Sequence, residues 1–343
     1  MTAQALLDTA HASLAGDGGI LAMDESNGTC DRRFAAAGIH EGAQSRRAYR
    51  EMVVTTPKLA QSINGAILYD ETIRQRTSDG RSMIGALSDA AIIPGIKVDT
   101  GAVPMAGHPG ERITEGLDGL RGRLGEYAGM GARFAKWRAV FAVGELLPSR
   151  GCIEANAGAL ARYAALCQEA GLVPIVEPEV LMAGDHMMGR CGEVTEEVLR
   201  ALFSSLCAQR VALEAVVLKP NMVLPGASAA EQPTPHEVAD ATLTCLLRVV
   251  PAAVPAIAFL SGGQTGELAS ARLNAVILAS RSRAPWVLGF SFARAIQQPA
   301  LEIWHGESTN VEAAQHALRH RAACDQVARR GEYSAVVERT VGA

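Results

Sequence analysis

Closely spaced cysteine pairs are absent from this 343-residue chain. Its seven cysteines are odd in number and lie at least fifteen residues apart, which favours neither a disulfide framework nor a thiolate zinc site. The zinc motif HExxH is also absent, and the pair His316 and His320 falls in a polar segment typical of an exposed helix face. We therefore predict no metal site.

Aromatic side chains and excess positive charge are scarce as well. Aromatic residues make up 4% of the chain and its formal net charge is −4, which favours neither base stacking nor a general attraction to nucleic acid or acidic membranes. No apolar run reaches the roughly 20 residues of a membrane span, and the first residues lack the pattern of a secretion signal. These absences predict a cytoplasmic protein that binds neither nucleic acid nor membrane.

Hydrophobic residues, by contrast, make up 48% of the chain and gather in eight short runs separated by segments with helical periodicity. Strands that are apolar throughout are buried on both faces, so eight of them alternating with helices predict a closed (β/α)8 barrel, the TIM barrel. The alternative is an open doubly wound sheet, which usually carries a GxGxxG or P-loop motif that is absent here. We expect one barrel domain over residues 1–343, with short extensions at both ends. The runs span residues 18–26, 64–71, 90–99, 132–138, 171–179, 213–220, 255–263 and 284–291.

Five ionisable residues stand at or near the ends of these runs: Asp24, Lys97, Lys136, Glu177 and Lys219. In a barrel the carboxyl ends of the strands converge on the face where active sites lie. A buried lysine or carboxylate costs on the order of several kcal/mol unless it is paired, so five on one face predict a functional charge cluster. The alternatives are a solvated rim, or salt bridges that only close the top of the barrel.

Alternation along the strands adds two more residues to this cluster. Arg138 shares a strand face with Lys136, and Glu179 shares one with Glu177, because side chains two residues apart point the same way. A cation beside Lys219 would favour its neutral amine, which is the form that attacks a carbonyl. Lys136 is the candidate for that cation.

A phosphate site is predicted independently from the loops after the seventh and eighth runs. Ser261 and Gly262 lie just before a predicted helix, and Arg294 follows the eighth run. Glycines let a backbone approach an anion, and free amides at a helix start hold it. These two loops are the usual phosphate site of a (β/α)8 barrel.

These segments also resemble, in order and spacing, the motifs of class I fructose-bisphosphate aldolases. The resemblance covers about residues 5 to 335 and is carried by GILAMDES, GIKVDTG, AKWR, IVEPE, LKPNM and FLSGGQ, with GDHMMGRC and GFSFARAIQ in support. It implies reversible cleavage of fructose 1,6-bisphosphate to dihydroxyacetone phosphate and glyceraldehyde 3-phosphate, in glycolysis and gluconeogenesis. It further implies a lysine Schiff base without metal or cofactor, and a homotetramer.

The resemblance also implies a role for each matching residue. Lys219 matches the Schiff-base lysine, Glu177 the acid/base, Asp24 a carboxylate that transfers protons, Lys136 an orienting cation and Glu179 a supporting carboxylate. The pocket for the ketone-end phosphate matches Ser261, Gly262 and Arg294. Residues around the aldehyde-end phosphate and the substrate hydroxyls match Lys97, Arg138, Thr29 and Arg33.

The sequence departs from the family pattern at several positions. Ala215 stands where glycine is usual, and Phe292 and Ala293 stand where tyrosine and glycine are common. Many relatives end in a mobile tail with a terminal tyrosine, whereas the last tyrosine here is Tyr333, so we expect a shortened tail over about 331–343. Two alternatives stay open: another Schiff-base barrel such as a transaldolase, and a non-catalytic barrel scaffold.

Overall fold

The computed structural model describes residues 3–341. Eight parallel strands close into a barrel in the order β1–β2–β3–β6–β7–β8–β9–β10 and back to β1, while β4 and β5 pair antiparallel outside it. The prediction of a (β/α)8 barrel is confirmed. The strands are β1 Gly19–Ala22, β2 Ile63–Leu68, β3 Ile93–Lys97, β4 Gly101–Pro104, β5 Arg112–Glu115, β6 Phe134–Phe141, β7 Val173–Val180, β8 Val217–Leu218, β9 Ala256–Phe259 and β10 Val287–Phe292.

Helices follow the barrel strands and form the outer layer. Several begin at a side chain that caps them, as Ser149 does by accepting a hydrogen bond from the amide of Cys152 at the start of α7. Among the described residues, no helix has the length and apolar character needed to cross a membrane. The helices are α1 Ala3–Ser13, α2 Asn27–Ala36, α3 Ala43–Val54, α4 Asp70–Arg74, α5 Met83–Asp89, α6 Leu120–Met130, α7 Arg150–Glu169, α8 Met188–Ala208, α9 Pro235–Val249, α10 Gly266–Ser280, α11 Arg294–Trp304, α12 Val311–Arg330 and α13 Ala335–Thr340.

The interior of the barrel is filled by side chains, so the barrel is a packed core and not a pore. Phe134 occupies much of the central space, and Gly95 on the adjacent strand makes this possible. A Cβ atom at Gly95 would lie 2.0 Å from the Phe134 ring, far inside van der Waals contact. Helix α1 packs Leu6 and Ala10 against the same interior cluster, and Leu14, just after the helix, joins them.

Strand β8 is only two residues long, and it is the strand that leads to Lys219. A short 3-10 turn at Leu213–Ala215 precedes it. The chain nevertheless stays in the sheet, because the Lys219 amide donates to the carbonyl of Val176 on β7 at 2.8 Å. Two residues later, Asn221 accepts from the amide of Val180 at 3.0 Å. Lys219 is therefore held in place by two hydrogen bonds to the backbone of β7, one from its own amide and one through the Asn221 side chain.

The hairpin of β4 and β5 was not predicted from the sequence. It lies between β3 and α6 in the chain and is only partly buried. The Thr114 hydroxyl donates to the carbonyl of Arg138 at 2.8 Å, which fastens the hairpin to β6. The hairpin thereby forms one wall at the carboxyl ends of the barrel strands.

Candidate active site

A cavity of 580 Å³ lies at the carboxyl ends of the barrel strands. Along β6 and β7 every second residue faces it, as the strand alternation requires. All the residues predicted from the sequence to form the site line this one cavity. They are Asp24, Thr29, Arg33, Lys97, Lys136, Arg138, Glu177, Glu179, Lys219, Ser261, Gly262 and Arg294.

The centre of the cavity is a chain of alternating charges. The Lys219 Nζ atom lies 3.1 Å from Oε1 of Glu177, and the Lys136 Nζ atom lies 2.7 Å from Oε2 of the same carboxylate. Lys136 also donates to Oδ2 of Asp24 at 2.9 Å. All four side chains are at least nine-tenths buried, so water screens these contacts little. The arrangement provides one amine for attack, that of Lys219. The Glu177 carboxylate contacts this amine, and the Asp24 carboxylate contacts the neighbouring Lys136.

Burial is the largest effect on Lys219, and it lowers the pKa of the amine below its ordinary value. Lys136 lowers the pKa of Lys219 further through its positive charge, whereas the carboxylates of Glu177 and Asp24 raise it. Lys136 therefore acts in the direction predicted, but burial is the stronger cause. The net result favours the neutral amine, which is the nucleophilic form.

The two carboxyl groups are held ionised by the two lysines. Burial tends to raise the pKa of Asp24, but Lys136 and Lys219 outweigh it and lower that pKa to about 2. The pKa of Glu177 is also lowered, because Lys136, Lys219 and Arg138 together overcome the effect of burial. At neutral pH both groups are therefore bases that can take up a proton.

A second group of charged residues lies nearer the rim. Arg138 Nε contacts Glu179 Oε2 at 2.5 Å, and Lys97 Nζ lies 2.8 Å from Oδ1 of Asp99. The other oxygen of Asp99 accepts from the amide of Arg138 at 3.2 Å. Asp99 therefore joins β3 to β6 and fixes where two cations stand at the cavity mouth.

The turn after β9 brings backbone amides to the cavity. Gly262 and Gly263 both have positive φ, at 56° and 83°, a backbone conformation that residues other than glycine rarely adopt. The amide of Gln264 donates to the carbonyl of Ser261 at 3.1 Å, which closes the turn. Arg294, the first residue of α11, lines the same part of the cavity.

Arg33 and Thr29 reach the cavity from α2 and not from the end of a strand. Arg33 forms an ion pair with Glu25, which also pairs with Arg50. Arg33 borders a second, adjoining cavity together with Gly263 and Arg294. Arg33 thus lies on the side of the cavity that carries the turn at Gly262 and Gly263, here called the glycine turn. Lys97 and Arg138 lie at the rim near the hairpin.

Several residues at the cavity were not predicted. Asp99 could have been found, because it follows the same apolar run as Lys97. Ser291 ends the eighth run, and its buried hydroxyl has no hydrogen-bond partner within the described chain. Glu25 follows Asp24 in sequence, but nothing in the sequence pairs it with Arg50, twenty-five residues away. Arg112 lines the cavity only because of the hairpin that sequence patterns did not predict.

Comparison with known proteins gives one consistent result. A family model described as fructose-bisphosphate aldolase class-I matches residues 5–342. A probable fructose-bisphosphate aldolase class 1 of Xanthomonas campestris pv. campestris is 53% identical over 334 residues, covering 97% of this chain and 99% of that protein. The cytosolic fructose-bisphosphate aldolase 4 of Arabidopsis thaliana is 48% identical, covering 92% of this chain and 80% of that protein. The Plasmodium falciparum aldolase, solved with TRAP and a small-molecule inhibitor, superposes with a TM-score of 0.94 at 41% identity, covering 97% of this chain and 96% of that one.

Proposed function

Since the chain belongs to the class-I fructose-bisphosphate aldolase family, we propose that Lys219 is the amine that forms its Schiff base. The enzyme cleaves fructose 1,6-bisphosphate reversibly to dihydroxyacetone phosphate and glyceraldehyde 3-phosphate. The observation that carries the assignment of Lys219 is its burial beside Lys136 with Glu177 as its ion-pair partner, which combines a lowered pKa with an adjacent acid/base.

In the first step the neutral Lys219 amine attacks the C2 ketone of the substrate and forms a carbinolamine. As Lys219 becomes neutral, its proton passes to Glu177, whose Oε1 lies 3.1 Å from the Lys219 nitrogen. Glu177 then returns this proton to the carbinolamine hydroxyl, which leaves as water. The product is a protonated imine. Its positive nitrogen attracts electrons from the neighbouring carbon–carbon bond.

Cleavage follows when a base removes the proton of the C4 hydroxyl. The C3–C4 electron pair then moves toward the iminium nitrogen, glyceraldehyde 3-phosphate leaves as the aldehyde, and an enamine remains on Lys219. Glu177 takes this proton. The Lys136 cation, held by Asp24, stays beside Glu177 while the proton moves. Protonation of the enamine carbon and addition of water release dihydroxyacetone phosphate and the free amine.

Separate groups hold the two phosphates, in our proposal. Ser261, Gly262 and Arg294 bind the ketone-end phosphate through turn amides and a guanidinium. The resemblance implies that Arg33 lies near the aldehyde end, but it borders the adjoining cavity beside Gly263 and Arg294, so we assign it to the ketone end instead. The rim cations Lys97 and Arg138 bind the aldehyde-end phosphate, with Glu179 orienting Arg138. Thr29, on α2, completes the contacts to the substrate. Binding energy from both ends then aligns the C3–C4 bond with the base.

The reaction as proposed needs no metal and no cofactor, because the protonated imine draws electrons as a Lewis acid otherwise would. We further propose that the chain acts as one barrel domain, in the cytoplasm and as a homotetramer. The name of the cytosolic plant relative supports the location, and family membership supports the assembly.

Borohydride reduction in the presence of dihydroxyacetone phosphate tests the nucleophile, because it converts the imine to a stable amine. Peptide mass mapping should then place the adduct on the peptide that contains Lys219. Lys219→Ala should abolish both the adduct and fructose 1,6-bisphosphate cleavage while keeping the circular-dichroism spectrum. An adduct on another lysine, or none at all in the active enzyme, would overturn the assignment. Activity should also survive EDTA, and activity that zinc restores after EDTA would contradict metal-independence.

A further inference from the structure

Three side chains outside the aldolase cavity meet where α13 lies against α12. His320 and Cys324 stand one turn apart on α12, and Glu338 reaches them from α13. The His320 Nε2 atom lies 3.6 Å from the Cys324 Sγ atom and 3.5 Å from Oε1 of Glu338. The sequence led us to expect an exposed pair of His316 and His320. Only His316 is exposed, and His320 turns toward Cys324.

These separations match those of a tetrahedral zinc site. With bond lengths of about 2.0 Å to nitrogen, 2.3 Å to sulfur and 2.1 Å to oxygen, tetrahedral ligands stand about 3.5 Å (nitrogen to sulfur) and about 3.3 Å (nitrogen to oxygen) apart. The three ligand atoms all lie within 4.8 Å of one another, so one ion can contact them with small adjustments. Imidazole, thiolate and carboxylate are also a ligand set that zinc prefers.

The groups around the ligands already hold them in ligating form. His320 Nδ1 lies 2.6 Å from the carbonyl oxygen of Val341, which can only accept, so Nδ1 carries the proton and the lone pair of Nε2 faces Cys324. This contact from the second ring nitrogen to a carbonyl is the usual support of a metal-binding histidine. Glu338 is oriented by Arg321, which donates to Oε1, and by the Tyr333 hydroxyl, which donates to Oε2 at 2.6 Å.

The cluster is open on one side and closed on the other. The His320 and Glu338 side chains keep 25% and 19% of their surface exposed, which leaves a path for an ion and a water ligand, whereas Cys324 is fully buried. A thiol buried in this way holds its proton when no ion is bound. A bound divalent cation would displace this proton to solvent and form a metal–thiolate bond.

We propose that His320, Cys324 and Glu338 bind one zinc ion, or a divalent cation of similar preference, with water as the fourth ligand. The ion joins α13 to α12 and takes no part in the Schiff-base chemistry. The ion is linked to the wall of the second cavity through Arg321. This arginine pairs with Glu338 and lines that cavity together with Gly263 and Arg294. Occupancy therefore stabilises the packing of α13 against α12.

Cobalt provides a direct test, because Co²⁺ takes zinc sites and a cobalt–thiolate bond gives its own charge-transfer absorption. The full-length chain, stripped with EDTA and desalted, is titrated with Co²⁺ and then with Zn²⁺. We expect one equivalent of Co²⁺ to give the thiolate band with tetrahedral visible bands, and one equivalent of Zn²⁺ to remove them. Zn²⁺ should also slow proteolytic cleavage in the segment after Gly331 by several fold.

Variants decide which side chains bind the ion. Cys324→Ser should lose the thiolate band, and His320→Gln and Glu338→Gln should each weaken Co²⁺ binding at least tenfold. Two matched controls, His316→Gln on the same helix and Cys207→Ser at an exposed cysteine, should bind as the parent chain does. Circular dichroism and aldolase activity verify that each variant is folded. The proposal fails if the parent chain binds less than one equivalent, if no thiolate band forms, or if folded Cys324→Ser keeps the band.

Discussion

The Lys219 Nζ atom lies 3.1 Å from Oε1 of Glu177, and the other oxygen of that carboxylate is occupied by Lys136 at 2.7 Å. One carboxylate is therefore shared between two lysine nitrogens in a buried site. The sharing has opposite effects on the two sides: Glu177 raises the pKa of Lys219, and the lysines lower the pKa of Glu177. A proton that moves within this group changes the charge felt by all its members.

The two buried lysines differ in their carboxylate neighbours, and this separates their roles. The pKa of Lys219 is lowered, whereas the pKa of Lys136 is raised, because Asp24 and Glu177 together outweigh the cost of burying it. Among the residues that the structure describes, Lys219 has one carboxylate within ion-pair distance and Lys136 has two. The number of carboxylate neighbours thus determines which lysine gives up its proton and which remains a fixed cation.

Replacing Glu177 by Gln should lower kcat roughly 100- to 10,000-fold, because the variant loses its general acid and base. Glu177 raises the pKa of Lys219, so its removal should also shift the acid limb of imine formation to lower pH. Borohydride trapping over a pH series measures this shift, and steady-state kinetics measure kcat. A lower kcat together with the shifted acid limb distinguishes loss of the proton donor from misfolding, because misfolding would lower kcat without shifting the limb.

The matched control for this prediction is Glu179→Gln. Glu179 lies two residues further along β7 and contacts Arg138, with no ion pair to Lys219 in the described structure. Its replacement should leave the acid limb of trapping where it is in the parent enzyme. Equal shifts in both variants, or an unchanged kcat in Glu177→Gln, would show that Glu177 is not the acid/base.

Arg138 and Arg294 should respond differently to a substrate that lacks one phosphate. If Arg138 binds the aldehyde-end phosphate, Arg138→Met should lower kcat/KM for fructose 1,6-bisphosphate roughly 10- to 100-fold, the effect of losing a charged hydrogen bond. It should change kcat/KM for fructose 1-phosphate little. Arg294→Met should lower both, because both substrates carry the ketone-end phosphate. Steady-state kinetics of the two variants with the two substrates test this, and a pattern reversed between the arginines would exchange the two phosphate sites.

The barrel and the central charges could be predicted from the sequence because both follow from strand periodicity. A strand buried on both faces must be apolar throughout, so an ionised residue within it or just after it is conspicuous. Lys136, Glu177 and Lys219 were found in this way. Thr29 and Arg33 lie on α2, where polar residues are ordinary, so only the family resemblance indicated them. The hairpin of β4 and β5 escaped prediction because its strands are short and partly exposed.

Contacts between distant segments were the other part that the sequence could not provide. Glu338 meets His320 only because α13 folds back on α12, and no periodicity within either helix encodes that contact. The same is true of Glu25 and Arg50, whose ion pair joins α3 to the segment after β1. Patterns within a segment predict which face is buried, but the partner on that face is a property of the tertiary fold.

The pKa of Asp24 predicts how stability depends on pH. Its ordinary value of 3.8 falls to about 2 in the folded protein, so ionised Asp24 contributes about 2 kcal/mol to the free energy of unfolding. Because the folded pKa is the lower one, this contribution is complete above about pH 4 and is lost as the pH falls toward 2. Asp24→Asn should therefore be less stable than the parent at pH 6, and the difference should shrink by pH 3. Urea unfolding at the two pH values measures it, and a difference that does not change with pH would contradict the prediction.

Gly262 and Gly16 allow the phosphate turn to be tested apart from backbone strain. Both have positive φ, at 56° and 54°, so alanine at either position should cost about 1 kcal/mol of stability. Of these two, only Gly262 would bring a new Cβ against neighbours, with the Met182 sulfur at 3.0 Å, whereas at Gly16 no atom of the described residues lies within 4 Å.

Gly262→Ala should therefore displace the turn amides and raise KM for fructose 1,6-bisphosphate about tenfold, as the loss of one hydrogen bond to phosphate would. Gly16→Ala should keep the parent KM while showing a similar drop in melting temperature. Both should still form the borohydride-trapped adduct on Lys219 when dihydroxyacetone phosphate is saturating, because the amine and Glu177 are untouched. If Gly262→Ala loses stability but keeps its KM, the turn after β9 does not bind the ketone-end phosphate, which is then left to Arg294 and Arg33.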